Sequence, residues 1–353
     1  MAKLKRNSNI ELLRIVLMLM VISLHFNNGA MGGAFNYVTD NSINSFILYL
    51  LESFSICAVN CFMIISGYFL AFNRTVKLSK IFDLLFVVIL YRLFDYLLSI
   101  GLGYNDFSIK SLIACFIPAN YFAIFYIVTY IFSPYISILF DNLSKKNQNT
   151  LMIFSILIFV LLPTFIDLIG NVGFNLNGVS PISLNGNISG YTVVQFFISL
   201  LIGIYIRRNE VKINTFVLIC IYLVSSIVMT LFVHKFSSLY NYCSIFTVIN
   251  AVCLFLLFNK LNFVSKTVNF ISKSVFPIYC IHVGFSVNEL WKKYLIRPEY
   301  IKGGIVNMLI CTILSVTLMF LACLIVDIIV RYTINIIKNK LLNRLPEIIN
   351  VGE

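Results

Sequence analysis

Long apolar runs separated by short polar loops fill almost the whole chain. Of its 353 residues, 60% are hydrophobic and 11% are charged, whereas soluble domains carry about 25% charged residues. A helix that spans a bilayer needs about 20 consecutive, mostly apolar residues, and most of these runs have about that length. The sequence therefore predicts an all-α fold, a polytopic membrane helix bundle.

About ten transmembrane helices account for nearly the full length. The predicted spans cover residues 10–27, 44–71, 78–100, 121–140, 151–170, 191–206, 213–233, 239–258, 275–290 and 304–334. If both the N-terminus and the C-terminus are cytoplasmic, most Lys and Arg residues fall on inner segments, as the positive-inside rule requires. We expect a single transmembrane domain over residues 1–353, with no appended soluble domain.

Charge and cysteine patterns narrow the function classes. The net charge of +12 is spread across loops, whereas nucleic-acid binding needs clustered basic residues, so we expect no nucleic acid partner. The nine cysteines form no CxxC pair and no His/Cys cluster at zinc spacing, so we interpret them as packing residues and expect no metal site.

Two loops predicted to lie outside carry further candidates. Four basic residues crowd the loop after the ninth span, at Lys292, Lys293, Arg297 and Lys302. They form either a patch for an anionic substrate or a solvated loop without a role. The uncharged loop 171–190 either contacts sugars or only connects two spans.

Arg14 and His25 lie in the first apolar run, where ionisable side chains are costly and mark a functional site by default. Eleven residues make about three helical turns, so both side chains leave the same helix face, about 16 Å apart along the axis. A guanidinium suits an anion, and a neutral imidazole suits proton abstraction from a hydroxyl. Arg14 can also simply extend to the inner interface.

Charged neighbours admit both structural and functional interpretations. Glu11 lies one turn before Arg14, so it either orients or neutralises the guanidinium. Arg92 and Asp95 in the third span are spaced for an intrahelical ion pair. Lys77 and Lys80 can face one cytoplasmic anion, although the positive-inside rule alone also explains them.

Two further segments combine polar residues with helix breakers. In IISGYFL of the second span, Ser66 and Gly67 permit close helix approach or a break, and Tyr68 can anchor at the interface. In FPIYCIH, His282 follows Pro277, which frees a carbonyl and can kink the helix. His282 is either a packed, hydrogen-bonded residue or a catalytic one.

The segment with Arg14 and His25 and the segment with Ser66 and Tyr68 resemble motifs of acyltransferase family 3. Its members are the bacterial membrane O-acyltransferases of cell-envelope and exported polysaccharides. NIELLRIVLMLMVISLHF is similar to the first-helix pattern of that family, with Glu11, Arg14 and His25 in its places. CFMIISGYFL resembles the SGY segment of the second helix, with Ser66 and Tyr68. The similarity runs over essentially the whole chain.

Softer matches continue in the same order along the sequence. The stretch around LSK, with Lys77 and Lys80, resembles a basic inner pair that is arginine in many members of the family. YFAIFYIVTYIFSP resembles the aromatic fourth span, and FFISLLIGIYIRR resembles the glycine-containing sixth span. SVFPIYCIH resembles a late Tyr-x-x-His segment. Lysines replace the arginines of the basic pair, so bidentate phosphate recognition does not follow for this chain.

The resemblance implies acyl transfer, most often of acetyl from cytoplasmic acetyl-CoA, to a sugar hydroxyl at the outer face of a bacterial plasma membrane. Arg14, Lys77, Lys80 and Arg92 would then contact the CoA. A pantetheine arm is about 20 Å long, comparable with the Arg14–His25 separation from helix rise. His25 would deprotonate the acceptor hydroxyl or become acylated itself.

Two other functions suit a polytopic, aromatic-rich chain. A transporter or flippase for lipid-linked glycans would line its pathway with the same ionisable residues, but the chain has no internal repeat. A membrane glycan polymerase or ligase would be expected to use large outer loops, and the longest loop here has only about twenty residues. The partners that the resemblance implies are acyl-CoA and a polysaccharide or lipid-linked glycan, and the apolar helices add membrane lipids.

Overall fold

The computed structural model of the protein describes residues 8–40, 42–173, 191–342 and 347–350, with side chains up to residue 333. Helices dominate this part of the chain. The first eight are α1 Ser8–Asn27, α2 Ile43–Ser55, α3 Ala58–Leu70, α4 Leu78–Gly101, α5 Ile109–Cys115, α6 Tyr121–Asn142, α7 Lys145–Ile156 and α8 Leu162–Gly170. The next eight are α9 Val193–Asn209, α10 Thr215–Phe232, α11 Ile245–Asn259, α12 Lys266–Ile271, α13 Val275–His282, α14 Phe285–Tyr294, α15 Pro298–Ile301 and α16 Ile305–Leu342.

Short irregular turns connect or interrupt these helices. Three 3₁₀ turns cover Ala34–Tyr37, Ser237–Tyr240 and Ser272–Ser274, and a π-helical turn, Leu157–Leu161, joins α7 to α8. Two short strands, β1 Thr75–Lys77 and β2 Glu347–Asn350, pair with each other. Within the described residues the architecture is thus all-α apart from this one ladder.

Seven helices in the described part are long and apolar enough to cross a membrane, or eight if one bent pair is a single span. The seven are Ser8–Asn27, Ile43–Leu70, Tyr121–Asn142, Lys145–Gly170, Thr215–Phe232, Ser237–Asn259 and Ile305–Thr333. The predicted spans 78–100 and 191–206 are also helical, as α4 and α9, but α9 has only 17 residues. The protein is therefore a multi-pass membrane protein.

Side-chain exposure fits helices that face lipid. Along α10, Phe216 is 73% exposed and Val224 is 60% exposed, while along α16 the same holds for Ile313 at 62% and Ile329 at 60%. Exposed apolar rows of this length are disfavoured in water and favoured in a bilayer.

The chain forms two compact units. The first unit comprises Met1–Glu52, Lys77–Ile124 and Val264–Glu347. Within it, α1 packs against α12, α13 and α16, and α4 packs against α13 and α14. Arg14, His25 and His282 all belong to this unit.

The second unit comprises Ser53–Val76, Phe125–Phe263 and Ile348–Glu353. Its centre is the pair α3 and α9, and α11 packs against both α3 and α10. Gly67 and Gly203 set the closeness of the central pair: a Cβ at Gly67 would lie 2.0 Å from the Leu200 carbonyl oxygen, and one at Gly203 would lie 2.1 Å from that of Ile64. Only glycine allows two helix backbones to approach this closely.

Candidate functional site

Helix α1 carries both residues of the opening pair. Arg14 is the seventh residue of the helix and His25 lies in its last turn. The continuous helix keeps them on one face at the axial separation expected from the rise. Glu11 approaches Arg14 to 3.8 Å, as the sequence predicted, and the Arg14 side chain stays 36% exposed.

His25 pairs with His282, a residue 257 positions further along the chain. His25 Nδ1 and His282 Nε2 are 2.7 Å apart, and the ring centroids are 4.9 Å apart. His282 is fully buried, whereas His25 is only partly buried. His282 is thus the packed, hydrogen-bonded residue of the first interpretation, and it lies in direct contact with the candidate base. A catalytic role of His282 stays a prediction.

The hydrogen bonds of this pair define the tautomers of both neutral rings. His282 Nδ1 lies 2.8 Å from the Ile278 carbonyl oxygen, and because a carbonyl only accepts, this nitrogen carries the proton. A neutral His282 then has an unprotonated Nε2, so His25 Nδ1–H donates to it. His25 Nε2 is consequently left with its lone pair, the form that a general base or a nucleophile needs.

A turn after α1 fixes the carbonyl end of His25. The Gly32 N–H donates to the His25 carbonyl oxygen at 2.8 Å. A Cβ at Gly32 would lie 2.4 Å from the Phe26 carbonyl oxygen, so this turn requires glycine.

His282 lies directly before a sharp break. The Lys266–His282 segment and α14 meet at 87°. The sequence predicted one span over 275–290, so the continuous span is wrong, and the bend lies at Val283 and Gly284. Pro277 is in the first turn of α13, where a missing N–H costs little, so the proline does not cause this bend.

Asp95 holds the break. Its carboxylate accepts from the Phe285 and Ser286 N–H groups at 3.0 and 2.9 Å, and the Ser286 hydroxyl donates to the Asp95 carbonyl at 3.1 Å. A carboxylate at a helix N-terminus satisfies amides that have no intrahelical partner. A Cβ at Gly284 would lie 2.6 Å from Asp95 Oδ1, so the clamp also requires glycine there.

The predicted Arg92–Asp95 ion pair is wrong, because the clamp on α14 uses the Asp95 carboxylate. Arg92 instead donates to the Ala119 carbonyl oxygen at 3.4 Å. Three residues after Ala119, Phe122 packs on Tyr279, with the ring centroids 6.0 Å apart. Tyr279 in turn contacts His282 edge to face, with the ring centroids 5.8 Å apart. Arg92 is thus linked through one short segment to the histidine pair.

Lys77 and Lys80 lie at the amino-terminal end of α4, three residues apart, and both are exposed. They belong to the first unit, together with Arg14. Their role in holding CoA stays a prediction.

The SGY segment lies in the second unit. The Ser66 hydroxyl donates to the Phe62 carbonyl oxygen at 2.9 Å, and Gly67 provides the close approach to α9. The Tyr68 hydroxyl accepts from Arg207 at 2.9 Å, and the guanidinium carbon lies 4.9 Å from the Tyr68 ring centroid. Packing, the simpler interpretation, accounts for the contacts of Ser66 and Gly67.

Sequence reasoning missed two acidic residues of the first unit as parts of its polar framework. One is Asp95 with its clamp, and the other is Glu52, whose carboxylate accepts from Asn27 Nδ2 at 2.8 Å. Glu52 was detectable as the one acidic residue in the predicted span 44–71.

In the loop 171–190, residues 174–190 lie outside the described part of the chain.

Comparison with protein families agrees with the motifs. An acyltransferase domain model of acyltransferase family 3 matches residues 7–329, nearly the whole chain. No curated protein and no solved structure matches significantly. This match covers nearly the whole chain, and the histidine pair lies on apolar helices that can cross a membrane. The chain therefore belongs to acyltransferase family 3 and is a membrane acyltransferase.

Proposed function

We propose that the protein transfers an acyl group, in the first place acetyl, from cytoplasmic acyl-CoA to a hydroxyl of a cell-envelope or exported polysaccharide. The observation that carries this proposal is the hydrogen-bonded chain from Ile278 through His282 to His25. It leaves His25 Nε2 unprotonated on a residue that is only partly buried. This arrangement is that of a general base held by a second residue in the correct tautomer.

His25 acts as the general base and then as the general acid of the transfer. His25 Nε2 takes the proton of the acceptor hydroxyl, and the oxygen attacks the thioester carbonyl. The new C–O bond forms as the C–S bond breaks, and the CoA thiolate leaves with the proton that His25 returns. Since the same lone pair can attack the thioester directly, an acyl-His25 intermediate is the alternative order of events.

We assign Arg14 to the CoA end of this path. It lies about 16 Å from His25 along α1, within reach of an extended pantetheine arm of about 20 Å. Glu11 orients the guanidinium, and Lys77, Lys80 and Arg92 are further candidates for CoA contacts. Ser66 and Tyr68 are assigned to packing and positioning.

The proposal includes a direction across a bacterial plasma membrane. About ten helices with both termini cytoplasmic, in one transmembrane domain, would place the start of α1 inside and His25 towards the exterior. The excess of Lys and Arg on segments that this topology makes cytoplasmic supports it.

A liposome assay tests the proposal. Purified protein receives labelled acetyl-CoA and polysaccharide extracted from cells that lack the gene. We expect label on the polysaccharide with the wild type and a loss of at least about 100-fold with His25→Ala. Full transfer by inserted His25→Ala protein would contradict the assignment, and movement of unmodified glycan without labelling would indicate a flippase.

Two further measurements divide the roles. Label retained on the protein without acceptor, and lost with His25→Ala, would identify the acyl-histidine order of events. Arg14→Ala is expected to raise the half-saturating acetyl-CoA concentration about tenfold, because a charge-assisted contact is lost. An unchanged value would remove Arg14 from the CoA site.

A further inference from the structure

The second unit contains unpartnered polar side chains that the histidine chemistry does not use. Both amide atoms of Gln195 and the hydroxyl oxygens of Ser199 and Thr247 are buried and have no hydrogen-bond partner in the described part of the chain. These three residues are at most 1% exposed. Buried polar groups are costly without partners, so these atoms are candidates for contacts with a bound polar molecule.

The unpartnered groups share one end of the unit. The Tyr191 hydroxyl donates to Tyr242, and Asn60 Nδ2 donates to the Tyr242 carbonyl at 2.8 Å. Tyr191 lies just before α9 and Tyr242 just before α11, so the first turns of the two helices start at the same level. Gln195 and Thr247 are each the third residue of their helix, and Ser199 lies one turn beyond Gln195 on the same face.

Helix α8 reaches the same end. The Ile245 N–H, in the first turn of α11, donates to the Thr164 hydroxyl at 2.9 Å. One turn later, Asp167 Oδ2 accepts from Asn241 at 2.8 Å, while its Oδ1 is buried without a partner. The π-helical turn Leu157–Leu161 contacts both α9 and α11, and π turns occur frequently at functional sites.

A helix cap does not explain Gln195. Thr192 and Gln195 have the spacing of a capping box, in which the Gln side chain bonds back to the cap residue. The Thr192 hydroxyl does accept from the Gln195 N–H at 3.2 Å, but the Gln195 amide makes no return bond. The side chain is therefore available to a ligand.

The chemistry of the cluster selects an uncharged, hydroxyl-rich molecule. A carboxylate oxygen accepts from hydroxyls, an amide both donates and accepts, and Ser and Thr hydroxyls do the same. Asp167 disfavours phosphate and carboxylate groups by repulsion. Tyr191 and Tyr242 add aromatic rings with polar ends at the same place.

We propose that Asp167, Gln195, Ser199 and Thr247 form a subsite for neutral sugar units of the acceptor glycan. The inference rests on the proposed function and adds the binding site for the acceptor. The subsite lies at the end of α9 opposite to Arg207 and Arg208, which the positive-inside rule assigns to the cytoplasm. A polysaccharide offers many sugar units, so the subsite does not need to hold the unit that reacts.

The test uses Gln195→Met, which keeps the side-chain length and removes both polar atoms, and Thr247→Val, which keeps the shape. The matched control is Gln148→Met, because Gln148 in α7 donates to the Phe140 and Leu143 carbonyls away from this cluster. All variants are purified in full length and checked for thermal unfolding. The probe is polysaccharide extracted from cells that lack the gene.

We expect Gln195→Met and Thr247→Val to raise the half-saturating polysaccharide concentration about tenfold or more, with acetyl-CoA saturation unchanged. Gln148→Met should match the wild type. An unchanged polysaccharide half-saturation in both cluster variants would overturn the subsite while leaving the acyl transfer intact.

Direct binding of the same polysaccharide without acetyl-CoA separates the two proposals. Binding that weakens in Gln195→Met supports the subsite even if no acyl group is transferred, in which case only the proposed function fails. Absence of wild-type binding overturns the subsite. A Gln195→Met protein that is more stable than the wild type but binds polysaccharide equally well would also overturn the subsite. That result would show that the Gln195 amide is only a costly buried polar group.

Discussion

At the scale of single residues, the central contact is one hydrogen bond between His25 and His282. It decides which nitrogen of His25 carries a lone pair, because the Ile278 carbonyl fixes the proton on the other side of His282. The sequence identified both histidines as ionisable groups at membrane depth. It gave no means to pair them, because 257 residues separate them and their contact depends on packing between α1 and α13.

Removing the second histidine tests this arrangement. His282→Phe keeps a buried aromatic ring but leaves the His25 Nδ1–H without its acceptor, so we expect acyl transfer to fall about 100-fold with acetyl-CoA saturation nearly unchanged. His282→Gln provides an acceptor oxygen and should recover part of the rate.

The control for this substitution is His234→Phe, which changes an exposed histidine of the second unit. We expect it to transfer at the wild-type rate in the liposome assay. Equal rates for His282→Phe and the wild type would remove His282 from the site.

At the scale of helices, small residues and clamps decide where the elements meet. The period and length of the apolar runs predicted the helices well, because each span must satisfy its own backbone hydrogen bonds. The break after His282 was not predicted, because it depends on Asp95, a residue on another helix. The reason for glycine at position 67 was also undecided between close approach and a break until α9 was seen beside it.

The contacts of Asp95 with α14 predict that a substitution of Asp95 lowers activity, although Asp95 has no proposed contact with a substrate. Asp95→Ala leaves the Phe285 and Ser286 N–H groups without their acceptor, which costs about 1–2 kcal/mol, and it releases the segment that carries His282. We expect a lower rate of acyl transfer and a lower unfolding temperature. Asp106→Ala, which removes an exposed acid, should change neither quantity.

The crossing of α3 and α9 predicts a loss of stability. In Gly203→Ala the new Cβ would meet the Ile64 carbonyl oxygen at 2.1 Å, so the two backbones must separate, at a cost of more than about 2 kcal/mol. Thermal unfolding in detergent measures this loss. Gly170→Ala in the same unit meets nothing within 4 Å, and an equal loss there would contradict the explanation.

At the scale of the whole molecule, the order of spans and the distribution of charge give a topology. Seven or eight helices in the described residues are long and apolar enough to cross a membrane, and α4 and α9, which cover the other two predicted spans, are not among them. The alternation of basic and non-basic loops predicts which ends face the cytoplasm. A topology of this kind can be tested without any knowledge of the substrate.

Single cysteines report the side of each loop. We expect Lys145→Cys to react with an impermeant maleimide only after the cells are permeabilised, because the loop before α7 is predicted to be cytoplasmic. Asp106→Cys, between α4 and α5, should react in intact cells. The reverse pattern would invert the topology and with it the direction of acyl transfer.

The sequence by itself determined the membrane location, most of the helical segments and the candidate residues of α1. These properties follow from local composition and periodicity, since a bilayer forces each apolar segment to form its own helix. Only the tertiary structure decided that His282 holds His25, that Asp95 clamps the broken helix, and that the Gln195 amide is buried without a hydrogen-bond partner in the described residues. The physical reason is that a hydrogen bond between distant helices depends on their packing, which no local pattern of residues encodes.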